Sequence, residues 1–114
     1  MKVASILTAL ALLVTTPTAA IAGANGFTLV NQSGSGITSL SIRRTGTQAW
    51  QPVGNALSLG ARSKVAFADE DCAFDIRATL AGDGEAIWRG VNLCEVTNVT
   101  LQRNAAGATW VEYD

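Results

Sequence analysis

Two cysteines constrain this chain more than any other feature. Cys72 and Cys94 bracket two apolar, strand-like runs, Phe74 to Leu80 and Glu85 to Leu93, that meet at Asp83-Gly84. An Asp-Gly pair between alternating runs is a strong signal for a tight hairpin, because both residues tolerate the positive φ that a type I′ turn demands. The chain has no other cysteine and no histidine. A metal site or two idle thiols therefore finds little support, and a disulfide stapling the open end of the hairpin is expected. In the chain-entropy model, closing a loop of roughly 20 residues contributes about 3 kcal/mol.

Register can be read by counting outward from the turn. A two-residue Asp83-Gly84 turn pairs Gly82 with Glu85, Leu80 with Ile87, Ile76 with Val91 and Phe74 with Leu93. Apolar residues then share one face, while Thr79 meets Trp88 and Asp75 meets Asn92 on the other. A shift of one residue would set Cys72 opposite Cys94, but it would also oppose Arg77 to Arg89, an unfavourable like-charge pair. The two demands are reconciled by keeping the apolar register and placing a bulge or strand end between Val91 and Cys94.

The first 22 residues have the marks of an export signal. Lys2 supplies a positive start and Val3 to Val14 is almost unbroken apolar sequence. Pro17 then interrupts it, and Ala20-Ile21-Ala22 fits the small-x-small cleavage pattern. The apolar run is shorter than the roughly 20 residues a membrane span needs. No cysteine follows the cleavage point to carry a lipid, and the paired arginines, Arg43-Arg44, lie too far on for a twin-arginine signal. A soluble periplasmic or secreted chain starting near Gly23, with no membrane span after cleavage, is expected. Removing 22 of 114 residues leaves 92, enough for one domain, 23–114. Losing Lys2 takes the net charge from −1 to −2, too mild to point to nucleic acid or an anionic membrane.

The remaining sequence is read as further strands. Phe27 to Asn31 and Ile37 to Arg44 are strand-like, separated by Gln32-Ser33-Gly34-Ser35-Gly36, and are expected to form a hairpin with Leu40 and Ile42 inward. Thr45 to Ala61 has no sustained period; a short strand or turn is expected at Ala56 to Leu59, with Leu57 and Leu59 plugging the sandwich edge. Ser63 to Ala68 places Val65 and Phe67 inward, and Asp69-Glu70-Asp71 forms an acidic turn. Glu95 to Arg103, with Val99 and Leu101 inward, and Ala108 to Tyr113 complete the count. About seven strands with turn signals roughly every ten residues argue for an all-β fold, a small antiparallel β-sandwich of immunoglobulin-like or similar type with one disulfide.

Residues for chemistry are sparse. Without histidine the commonest general base and metal ligand is missing, and oxidised cysteines leave no thiol nucleophile. No cofactor is implied. The Asp69–Asp71 run offers carboxylates for calcium or for a carboxylate-based hydrolase, with Asp69 and Asp71 the candidate metal ligands, although solvated charges in a turn explain it as well. Among the aromatics, Trp88 and Trp110 are expected to cover the core. Trp50, flanked by Gln48 and Gln51 in the irregular segment, is the candidate for an exposed binding contact.

Several runs taken in order also resemble a widespread family of small exported bacterial proteins. They are Leu29-Val30-Asn31 with Gly34 and Ile37, then Trp50, then Cys72-Ala73-Phe74-Asp75-Ile76-Arg77, then Gly90-Val91-Asn92-Leu93-Cys94. The resemblance spans most of the chain after the signal and implies a β fold, export and a disulfide. It carries no catalytic residue. The expected function is an exported non-enzymatic module binding a protein or cell-envelope component through Trp50, Gln48 and Gln51. Calcium-dependent or hydrolytic use of Asp69–Asp71 is the alternative, and a stapled inhibitory loop at Gly82 to Glu85 or Thr45 to Gly54 is a third class.

Overall fold

A computed structural model describes residues 23–54, 56–82 and 84–114. The expected signal, 1–22, and Asp83 of the expected turn lie outside the described residues. Eight strands are described: β1 (Ala24–Gln32), β2 (Ile37–Arg44), β3 (Gln51–Gly54), β4 (Arg62–Asp69), β5 (Ala73–Leu80), β6 (Gly84–Asn92), β7 (Asn98–Arg103) and β8 (Thr109–Tyr113). They form two four-stranded sheets, β4-β1-β7-β8 and β3-β2-β5-β6, in a sandwich. Alternate residues of both sheets meet between them, among them Leu29, Phe67, Ile76, Trp88, Val99 and Leu101. The Cys72–Cys94 disulfide forms across the open end of the β5–β6 hairpin, with Cα atoms 5.1 Å apart.

The first two strands do not form the expected hairpin. β1 lies antiparallel to β4 and parallel to β7, whereas β2 sits in the other sheet between β3 and β5. The crossing is organised by Asn31, a wholly buried amide. Its Nδ2 donates to the carbonyls of Ser35 (2.8 Å) and Leu57 (2.9 Å), and its Oδ1 accepts from the backbone and hydroxyl of Ser33. A buried amide with its donors and acceptor satisfied stabilises an irregular turn that would otherwise strand polar backbone in the core. The extra strand comes from the irregular segment: β3 pairs at the edge of β2, where Pro52 costs no ladder bond. The strand or turn expected at Ala56 to Leu59 reduces to a bridge between Leu57 and Ile37. Leu57 is buried, but Leu59 is 56% exposed and plugs nothing.

The hairpin register also differs from the count made from the turn. Leu80 pairs with Gly84, Thr79 with Glu85, Arg77 with Ile87 and Ile76 with Trp88. That setting puts the indole of Trp88 inward, 1% exposed, and moves Ile87 to the outer side. Burying the larger apolar surface wins, since transfer free energy scales with area. The irregularity falls earlier than expected. Arg89 and Gly90 together oppose Asp75, Gly90 with φ of 62°, after which Phe74 pairs with Val91. This β-bulge restores the apolar face.

One flank of the sandwich is tied shut. Trp88 Nε1 donates to the Gln102 carbonyl (2.8 Å), Thr109 Oγ1 to the Ile87 carbonyl (2.7 Å), and Asn92 N to Tyr113 Oη (2.9 Å). These bonds join β6 to β7 and β8 across the sheets. The opposite flank, between β3 and β4, is where the segment expected to carry function lies.

Candidate functional site

Residues 45–54 cross the β3–β4 flank, held by hydrogen bonds at the first end and by the pairing of β3 with β2 at the other. Thr45 N donates to the Ala73 carbonyl (3.1 Å), and Thr47 turns back on the Arg44 carbonyl through its N–H (3.0 Å) and its hydroxyl (2.8 Å). Beneath the segment is a cavity of about 240 Å³. Ile42, Phe67 and Phe74 provide an apolar floor, with the two phenyl rings edge to face at 5.0 Å across the sheets. Arg44, Asp69, Thr47 and Gln51 provide a polar rim. An apolar floor with a few convergent polar groups is the usual composition of a binding pocket. This one has room for a single apolar side chain.

Trp50 faces away from that cavity, over the outer side of the β3-β2-β5-β6 sheet. The guanidinium carbons of Arg43 and Arg77 both lie 4.3 Å from its ring centroid, within cation–π range. The ring is half-buried and already engaged within the molecule. Arg43 is itself held by Asp75, whose carboxylate is 2% exposed. Asp75 Oδ2 accepts from Arg43 Nε (2.9 Å), and Oδ1 accepts from Thr45 Oγ1 (3.0 Å) and from Gly90 N (2.9 Å). Burial is the strongest single influence on this carboxyl and pushes its pKa upward. The Gly90 amide, Arg43 and the Thr45 hydroxyl together outweigh it and hold the pKa below the usual range. The bulge thus has a second role, aiming an N–H at the carboxylate.

The acidic turn is engaged by an arginine. Arg44 takes both candidate ligands, with Nη2 2.8 Å from Asp69 Oδ1 and Nε 3.1 Å from Asp71 Oδ2. The hydrogen bond from Arg44 is the main reason the Asp69 pKa falls, and the same bond raises that of Arg44. Among the described residues no group of three or more histidine, cysteine or acidic side chains is placed to hold a metal ion. The acidic run serves as the counter-charge of a strand-end arginine.

The structure therefore divides the residues expected at the site. Gln51 and Asp69 line one cavity, Gln48 is exposed beside it, and Trp50 stacks on the other side of the segment. Trp88 covers the core as expected. Trp110 does not: it is 45% exposed, on the outer side of β8. Sequence reasoning missed the Asp75–Arg43–Trp50–Arg77 cluster. Its signal is recoverable once β2 is paired with β5, because Ile42 opposite Ile76 sets Arg43 opposite Asp75.

No family model matches the chain, and no curated protein matches it. Among solved structures, an NMR structure of a protein from Eubacterium rectale is similar, with a TM-score of 0.56 and 14% identity. The match covers 79% of this chain and 87% of that one. At such identity the likeness is one of fold. It shows a shared fold and no specific family or motif. No helix among the described residues is long and apolar enough to cross a membrane.

Proposed function

We propose that this protein is an exported, non-enzymatic β-sandwich module that binds a protein or cell-envelope component at the 45–54 segment. The observation that carries this reading is the cavity of about 240 Å³ beneath the segment, floored by Ile42, Phe67 and Phe74 and rimmed by Arg44, Asp69 and Gln51. A partner side chain entering it would bury apolar surface against a rigid core, while the charged rim orients the approach. Trp50 supports the segment by its stack on Arg43 and Arg77 rather than by touching the partner first.

The test is affinity capture from periplasmic extract with the oxidised protein, comparing wild type with Ala49→Trp and Trp50→Ala. Ala49 lines the cavity, so an indole there occupies it without removing any existing contact. Ala49→Trp is expected to lose a partner that wild type retains, and Trp50→Ala to recover less of it. Equal recovery by all three proteins would refute the site.

A further inference from the structure

The outer face of the other sheet, β4-β1-β7-β8, carries a second set of residues that the 45–54 segment does not involve. Alternation with the core residues Leu29, Val65, Val99 and Leu101 turns Thr28, Lys64, Thr100 and Gln102 outward, while Val30, on the same side, is itself buried, and register sets them in rows. Lys64, Thr28 and Asn98 form one row; Arg62, Val30, Thr100 and Glu112 the next; Gln32, Gln102 and Trp110 the third. Three observations distinguish this face. Trp110 is 45% exposed, and no ring or cation among the described residues stacks on it. Arg62 and Lys64 are exposed and make no ion pair with a described residue. A cavity of about 420 Å³ opens beside Thr28 and Lys64, where the register shift between Asn25 and Phe27 interrupts the β1–β4 ladder.

We propose that this face binds a polysaccharide strand bearing carboxylates. A pyranose ring has an apolar C–H face and a rim of hydroxyls. It matches a bare indole beside amides and hydroxyls, since an aromatic ring gains from apolar contact while the neighbouring polar groups keep hydrogen bonds. Gln102 lies next to Trp110 and Gln32 one strand further along the same row, with Thr100 one row on. The unpaired cations sit at the far edge and fit sugar carboxylates, Arg62 with its planar fork and Lys64 as a point charge at the mouth of the cavity. From Trp110 to Lys64 the face spans on the order of 20 Å by strand spacing and rise, long enough for several sugar units. A face with hydroxyls and amides beside an indole and two cations along one edge suits an extended charged chain better than a protein, whose contact would favour an apolar, charge-depleted centre.

Affinity electrophoresis tests this in native gels containing polygalacturonate, hydroxyethylcellulose or no polymer. Wild type is expected to be retarded by polygalacturonate, and less so as salt rises. Trp110→Ala should bind more weakly by roughly tenfold or more. Arg62→Gln with Lys64→Gln should lose most of the retardation and its salt dependence, and Trp50→Ala should behave as wild type. Melting curves run alongside show that the variants are folded. No retardation by polygalacturonate, or equal retardation of wild type and Trp110→Ala, overturns the site; retardation by the neutral polymer alone overturns the charged ligand. Ala49→Trp, which blocks the cavity under 45–54, leaves this binding unchanged, so the two surfaces stand or fall separately.

Discussion

The two outer faces of the sandwich each carry a tryptophan, and they use it in opposite ways. On the β3-β2-β5-β6 face, Trp50 is met by two guanidinium groups, one of them anchored by the buried Asp75. On the β4-β1-β7-β8 face, Trp110 stacks on no ring or cation among the described residues and stands beside amides. The first indole is spent on internal order, the second is left for something outside. Fractional exposure alone would separate the two weakly. What separates them is whether the ring already has partners, which is why substitution at the two positions should have different consequences.

The largest effect is expected beneath Trp50. Asp75→Ala removes the acceptor of three hydrogen bonds and leaves Arg43 without its counter-ion. Breaking a buried pair costs about 3 kcal/mol, the low end of the range because Arg43 keeps some solvent access. For a domain of this size the melting temperature should fall by more than about 10 °C. The Asp75 pKa is depressed in the folded state, so its contribution is present above the unfolded value of about 4 and is lost as pH falls through the folded value. Acid titration of stability should therefore show a decline below pH about 4 that is shallower in Asp75→Asn. An unchanged profile in that variant would remove Asp75 from the account. Cys72→Ala with Cys94→Ala should cost about 3 kcal/mol for a closed loop of this length, measured by urea unfolding. The bridge lies at the open end of the β5–β6 hairpin, away from Trp110, so its loss should not weaken polysaccharide binding under conditions where the protein stays folded.

Much of this architecture was legible in the sequence. The disulfide followed from two cysteines and no histidine, and the inward positions Leu40, Ile42, Val65, Phe67, Val99 and Leu101 followed from alternation. Two kinds of information were not local. Sheet membership was one: β1 and β2 look like a hairpin in sequence, and the decisive residue, Asn31, reads as an ordinary strand end until its bonds to Ser35 and Leu57 bury it. Register was the other. The Asp83-Gly84 turn favours one pairing by backbone geometry, but the indole of Trp88 outweighs it. The fates of Trp50 and Trp110 were illegible for the same reason. Both sit in strand-like or irregular polar surroundings, and only the pairing of their strands decides which is stacked and which bare.

Trp50→Ala should have an intermediate effect. Two partly exposed cation–π contacts, at about 0.5–1 kcal/mol each, give a loss of about 1–2 kcal/mol. The loss should shrink in a background carrying Arg43→Gln and Arg77→Gln. A double-mutant cycle reads that coupling directly. Additive effects would mean that the arginines merely lie near the ring, and the contrast between the faces would lose its physical basis.

The smallest change in stability is expected at Trp110. Its ring is 45% exposed at the edge strand β8, and no described residue stacks on it, so Trp110→Ala should alter unfolding free energy by less than about 0.5 kcal/mol. This near-silence is itself diagnostic. An aromatic residue that contributes little to the fold, yet whose loss weakens retention by polygalacturonate roughly tenfold or more, is held for binding. If chemical denaturation instead shows Trp110→Ala to be as costly as Trp50→Ala, the indole is part of the sandwich's packing. The two faces then differ in degree and not in kind, and the polysaccharide site loses its central residue.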